Sequence, residues 1–267
     1  MTTSRIPYAE LPVTVRRAVE AHTGPVLKVE SEAEGFNSEI AARLTSPTGA
    51  FYVKGLRADH RRAWTQAREA EVNPYVRGIA PALVARVESG GWDLLIFEAV
   101  DGHHADYRPG SPDLPKVVAT LRHLAEIPCP PIELRHAEQR LARYAAGPKD
   151  LDQFAGDALL HTDWHNTNVL VTDHGAQLVD WAWATKGAPW LDAGYWVLWL
   201  IAFGHDPASA EDWAAHIPTW QTAPTEGIDA FAVANANMWD EIGKDDSDPW
   251  TVRMVAAARK WRDCRKV

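Results

Sequence analysis

Cysteine is nearly absent from this 267-residue chain: Cys129 and Cys264 stand alone, far apart and outside any Cys-x-x-Cys pair. That excludes a disulfide framework and a thiolate metal centre, and it fits a reducing compartment. Long apolar runs are missing too. The longest charge-free apolar stretch, Ala193 to Phe203, has 11 residues, against about 20 for a helix that crosses a bilayer. Met1 to Pro7 hold no apolar segment of the secretory kind, so the expectation is a soluble, cytoplasmic protein with no membrane partner. Basic residues are scarce in one region: residues 151–250 hold 2 Lys/Arg against 16 Asp/Glu, residues 1–150 hold 19 of each, and residues 251–267 hold 6 and 1. The formal charge of −9 thus hides a neutral first half, an acidic band and a basic tail. A band of that sign argues against a nucleic-acid partner and for a cationic or metal-bound ligand. No repeat of about 20–50 residues and no low-complexity tract interrupts the chain.

What is present is the composition of a packed protein: 46% hydrophobic, 24% charged and 13 Trp, 11 of them after residue 150. The first third reads as strand-rich. A helix-like segment, Leu11 to Ala21, precedes runs at Val26–Val29, Glu39–Leu44 and Ala50–Lys54, with the turn Ser46-Pro47-Thr48-Gly49 between the last two. An Arg-rich helix pattern runs from Ala58 to Val72 and stops before Pro74. Ala82–Val87 and Trp92–Phe97 flank Glu88-Ser89-Gly90-Gly91, a hairpin signal. Beyond Asp101 the period changes. Leu114–Leu124 and Ile132–Tyr144 read as amphipathic helices, Val169–Val171 and Gln177–Val179 as short strands, and Trp190–Phe203, Glu211–His216, Asp229–Ile242 and Pro249–Arg265 as helices. The expected class is α+β: residues 1–100 form a small lobe with an antiparallel sheet and one helix, and residues 101–267 form a larger, mainly helical lobe.

The chemistry concentrates in His161-Thr162-Asp163-Trp164-His165-Asn166-Thr167-Asn168, followed by Leu178-Val179-Asp180-Trp181. Phosphoryl transfer asks little covalent help of a protein. It needs a carboxylate that orients the acceptor and takes its proton, and hard oxygen ligands that hold Mg²⁺ on the phosphates. Asp163 and Asn168, five residues apart on a loop, can divide those tasks, and Asp180 can reach the same metal from a strand end.

This pair of motifs resembles the aminoglycoside phosphotransferase and choline kinase-like family, whose fold is that of the protein kinases: its His-x-Asp-x-x-x-x-Asn loop matches His161 to Asn168, and its Ile-Asp-Trp-type motif matches Val179-Asp180-Trp181. The resemblance implies a bilobal protein-kinase-like fold and a kinase that binds ATP and Mg²⁺. It makes Asp163 the catalytic base and Asn168 and Asp180 the metal ligands. His161 would brace the loop, and Asp192, in Pro189-Trp190-Leu191-Asp192, would anchor it from the following helix. In the first lobe, Lys54 of Phe51-Tyr52-Val53-Lys54 stands where the family's lysine contacts the α- and β-phosphates. Its partner is Glu69, with Glu71 the alternative on the opposite helix face. Backbone groups of Glu98 to Val100 would bind the adenine. One element departs from the protein-kinase pattern: Glu30 to Ser38 carries a single glycine, so contact with the nucleotide there would fall to Asn37 and Ser38 rather than to a glycine-rich backbone.

Other readings stand beside this one. Asp163 could simply cap a turn, Lys54 could be a solvated edge lysine, and His161-x-Asp163-x-His165 could suggest a transition-metal site. His103 and His104 have no role. Trp181, Trp183, Trp190, Trp196 and Trp199 read as core, and the basic tail Arg259-Lys260-Trp261-Arg262 as a solvated helix face. The leading function is a kinase of a hydroxyl on a small cationic acceptor such as an aminoglycoside, an antibiotic-resistance activity. The acidic residues of the late helices, Glu211, Asp212, Glu226, Asp229, Asp240, Glu241, Asp245, Asp246 and Asp248, would complement its charge, and Trp faces would suit a choline-like amine. The alternatives are a kinase of a neutral or anionic metabolite, an inactive nucleotide-binding module, and a protein kinase, which lacks room for an activation segment between Asp180 and Trp190.

Overall fold

The computed structural model describes residues 5–32 and 38–266. The chain divides into two compact units, Met1–Asp101 with Asp180–Ala182, and Gly102–Val179 with Trp183–Val267.

In the first unit, helix α1 (Val13–Thr23) leads into strands β1 (Lys28–Ser31), β2 (Ile40–Ser46) and β3 (Gly49–Arg57), then helix α2 (Trp64–Val72) and the hairpin β4 (Leu83–Ser89) and β5 (Trp92–Glu98). The strands form one antiparallel sheet in the order β1-β2-β3-β5-β4. β-branched and aromatic residues alternate onto its inner face, and Val15 and Val19 of α1 join Leu44, Val53, Leu94 and Ile96 in a closed core. Gly90 and Gly91 both take positive φ, 54° and 79°, as a tight two-residue hairpin turn demands. Gly55 is required for another reason: a Cβ there would meet the Asp93 carbonyl at 2.4 Å, so only glycine lets β3 and β5 close.

The second unit runs through β6 (His103–His104), α3 (Leu114–Glu126), β7 (Arg135–His136), α4 (Ala137–Leu141), α5 (Pro148–Phe154), β8 (Ala158–Leu160), β9 (Val169–Thr172), β10 (Gly175–Leu178) and β11 (Thr185–Gly187). Helices α6 (Leu191–Ala202), α7 (Pro207–Ala214), α8 (Pro218–Gln221), α9 (Thr225–Ile242) and α10 (Pro249–Arg265) complete it. Two small sheets, β10-β9-β6 and β7-β11-β8, flank the motif loop. The helices pack around aromatic residues: Trp196, Phe231 and Trp261 are fully buried, and Phe231 meets Trp190 and Trp261 edge to face.

Three expectations need correction. The helix at Ile132–Tyr144 shrinks to Ala137–Leu141, because Arg135 and His136 pair with Thr185 and Lys186 of β11 and tertiary strand pairing overrides the helical period. The helix at Ala58–Val72 starts only at Trp64; residues 58–63 are consecutive turns and bends, with His60 N donating to Arg57 O and Ala63 N to His60 O. The basic tail is solvated at Arg259 and Lys260, which are exposed, but not at Trp261. Trp261 lies in the core with its Nε1 donating to Glu211 at 2.7 Å, and Arg265 forks onto both Glu211 oxygens.

Candidate active site

In the first unit Lys54 is brought to Glu69 and Asp180. It points from β3 so that its Nζ lies 2.8 Å from Glu69 of α2 and 3.2 Å from Asp180, with the three side chains 11%, 3% and 19% exposed. Burial works against the ammonium, but the two carboxylates outweigh it and hold the Lys54 pKa above its ordinary value. Burial in turn pushes Glu69 up, against the pull of Lys54. The backbone N–H of Trp181 donates to Glu69 at 3.4 Å. Glu71 is exposed and faces Arg68, so it is Glu69 that meets the lysine. Asp180 has φ 64°, a left-handed conformation that an L-residue adopts at a cost of about 1–3 kcal/mol.

The end of β5 lies three to five residues from Leu95, the strand partner of Lys54. Here Glu98 N–H donates to Ala82 O, Ala99 N–H donates to Ala50 O, and Val100 O accepts from Arg43. Ser38 is buried. Asn37 lies outside the described residues.

In the second unit the loop from His161 to Asn168 hangs on one buried carboxylate. Asp192, in the first turn of α6 and 3% exposed, accepts from His161 N (2.8 Å), Thr162 N (2.8 Å) and Trp164 Nε1 (2.9 Å). Burial raises its pKa, and these donors and His161 pull the other way. His161 is fully buried, its Nε2 on Val179 O at 3.0 Å and its Nδ1 accepting from Asp163 N at 3.3 Å. Both imidazole nitrogens of His161 are thus taken by hydrogen bonds within the protein. Asn168 donates Nδ2 to Asp163 O at 3.2 Å, leaving its Oδ1 free to accept. His165 uses Nδ1 to accept from Thr167 N, capping the turn that carries Asn168. Its ring rests on Trp199 at 4.6 Å and Trp250 at 5.3 Å, and those two indoles stack at 4.8 Å. His103 contacts Asp113 at 3.0 Å.

Among the described residues no group of three or more His, Cys, Asp or Glu side chains is set to hold a metal ion. The donors that the motifs supply, the Asp180 carboxylate and the Asn168 carboxamide oxygen, are instead of the hard kind that suits a Mg²⁺ carried largely by phosphates and water.

No protein-family model and no curated protein sequence matches this chain. Solved structures do. Choline kinase LicA from Streptococcus pneumoniae aligns with a TM-score of 0.65 at 14% identity, over 94% of this chain and 98% of that one. The chain shares the fold of that structure. The same kinase-like architecture is shared by an aminoglycoside phosphotransferase, APH(4)-Ia, in complex with ADP and hygromycin B (TM-score 0.59, 14% identity, 92% and 98% coverage). It recurs in an aminoglycoside phosphotransferase from Alicyclobacillus acidocaldarius (0.58, 12%, 96% and 94%). Two features of this chain carried no signal in the sequence. One is the left-handed backbone at Thr162 and Asp180, φ 66° and 64°, which no glycine announces. The other is Arg140, which the misread helix hid and which donates to Thr162 Oγ1.

Proposed function

We propose that this chain is a small-molecule kinase, a phosphotransferase that moves the γ-phosphoryl group of ATP, with Mg²⁺, to a hydroxyl of a small cationic acceptor such as an aminoglycoside. The observation that carries the reading is the buried cluster of Lys54, Glu69 and Asp180: a lysine kept charged by two carboxylates, one of them on the motif that the resemblance assigns to metal. A lysine so held is fixed in place to meet phosphate oxygens.

In this reading Lys54 binds the α- and β-phosphates and Glu69 keeps its ammonium in place. The Glu98 carbonyl and the Val100 N–H take the adenine, since the Glu98 N–H is already spent on Ala82. Ser38 covers the phosphates. Asp180 and Asn168 hold Mg²⁺, which supplies charge neutralisation on the phosphates when bound. Asp163 orients the acceptor hydroxyl and accepts its proton as the oxygen forms its bond to the γ-phosphorus and ADP leaves. Asp192 and His161 keep the loop in shape.

The cationic acceptor draws on fewer carboxylates than the acidic band suggests. Glu211 and Asp229 are taken by Arg265, Asp240 by Arg259 and Glu241 by Arg143. Among the described residues Asp212, Glu226, Asp245, Asp246 and Asp248 form no ion pair, and Asp246 and Asp248 accept only local hydrogen bonds, from Asp248 N and Thr251 Oγ1 and from Trp250 N respectively. They sit just before Trp250, whose indole stacks on Trp199 beside His165, two residues from Asp163. Aromatic faces with adjacent carboxylates suit an ammonium group.

Calorimetric titration with ATP, with and without Mg²⁺, tests the nucleotide half of this reading. Asp180→Ala should remove the Mg²⁺-dependent part of the affinity, and an unchanged Kd would take Asp180 out of the metal site.

A further inference from the structure

Thr162 immediately precedes Asp163 and sits at φ 66°. A β-branched residue is a true outlier there, because its Cβ crowds the following carbonyl. Such a conformation persists only where the surroundings over-determine it. Asp192 fixes the backbone N–H, but the N–H alone does not set the turn. The side chain is fixed as well: Thr162 Oγ1 donates to Trp183 O at 3.1 Å and accepts from Arg140 Nη1 at 2.7 Å.

Arg140 stands on α4, and the same Nη1 also reaches Trp183 O at 3.2 Å and Thr185 Oγ1. Thr185 is fully buried, and on β11 it pairs with Leu160 of β8, the strand that feeds the loop. The Arg140 guanidinium lies over the Trp183 ring at 5.7 Å, and none of the ion pairs among the described residues includes it. A partly buried cation given to neutral oxygens, rather than to a carboxylate, is an expensive way to hold a fold together. Its return is geometric: one nitrogen gathers the Thr162 and Thr185 hydroxyls and the Trp183 carbonyl around the start of the loop.

We propose that Arg140 is a positioning residue for phosphoryl transfer, holding Thr162 in the left-handed conformation that presents the Asp163 carboxylate. The proposal rests on the kinase reading above. In this reading Arg140 acts through Thr162, so its removal should lower kcat and leave the nucleotide KM alone. Misplacement of a reacting group by an ångström costs about 10²-fold.

The test is a double-mutant cycle followed by ADP release, with folding checked by circular dichroism. Arg140→Met keeps the aliphatic stem on Trp183 and removes every donor; it should lower kcat about 10²-fold with nucleotide KM within about twofold. Thr162→Gly can adopt the same φ without a side chain for Arg140 to hold, so in that background Arg140→Met should cost less than about threefold. Should Arg140→Met not fold, Thr162→Val, isosteric but without the hydroxyl, should show the same loss. An equal loss from Arg140→Met in both backgrounds, a loss confined to KM, or a fully active Thr162→Val would overturn the proposal. A wild-type protein that transfers phosphate to no acceptor would instead sink the kinase reading itself, so the two failures are told apart.

Discussion

Lys54 of β3 and Glu69 of α2 close an ion pair at 2.8 Å in which the side chains are only 11% and 3% exposed, and Asp180 completes it from the other side of the ammonium at 3.2 Å. A pair so far out of water contributes less than its Coulomb energy suggests, yet breaking it leaves a buried charge with no partner. Lys54→Met should therefore cost about 3–5 kcal/mol of stability, measured by urea unfolding, because it strands two carboxylates. Glu69→Gln should cost less, since Asp180 still faces the ammonium. Folding raises the Lys54 pKa above the ordinary 10.5. The contribution of the pair is thus fully present below about pH 10.5 and is lost as pH climbs through the folded value. Equal losses for the two variants would contradict the three-membered cluster.

Asp192 carries a second, independent commitment. Three N–H donors converge on its carboxylate, and Asp192→Ala leaves them buried without an acceptor. At about 1–3 kcal/mol for each orphaned group, the thermal midpoint should fall by many degrees, and transfer activity should vanish before the fold does. Asp192→Asn keeps the shape but turns one acceptor edge into a donor, so it should lie between the two. An Asp192→Ala protein with wild-type stability would rule out the clamp.

Acid should loosen the second unit through His205. It is 2% exposed, its Nε2 faces Tyr107 O at 2.9 Å, and burial holds its pKa below the usual 6.5. The unfolded chain then binds a proton that the folded chain refuses, so stability falls as pH drops below about 6.5. His205→Gln, which keeps a donor for the Tyr107 carbonyl, should flatten the slope of the unfolding free energy between pH 7 and pH 5. An unchanged slope would show that other groups set it.

How much of this was legible in the sequence follows from the length of each signal. The strands of the first unit run four to nine residues, long enough for alternation to show, and Pro249–Arg265 announces itself with Asp248 as cap and Pro at the first position. His103–His104, Arg135–His136 and Thr185–Gly187 are strands of two or three residues. No period of two can appear in so few, and their pairing is decided by chain segments up to 68 residues away, as with His103 and Val171. The motif residues Asp163, Asn168, Asp180 and Asp192 were legible because short fixed spacings tie them together. Arg140 was not, because its tie to Thr162 exists only in three dimensions, inside a stretch whose helical period was overridden by β7. Likewise the acidic band read as free carboxylates until Arg265, Arg259 and Arg143 were seen to occupy four of them.

The central claim, that Asp163 is the base of a kinase acting on a small hydroxyl-bearing molecule, is tested most directly by coupled ADP release. Wild-type protein is incubated with ATP, Mg²⁺ and a panel of aminoglycosides, choline-like amines and neutral sugars, beside Asp163→Ala. At least one cationic acceptor should raise ADP release above the acceptor-free rate. Asp163→Ala should cut that rate by about 10²–10⁴-fold while its ATP Kd stays within about twofold of wild type. Acceptor-dependent release that survives Asp163→Ala, or no acceptor effect across the panel with wild-type protein, would contradict the account.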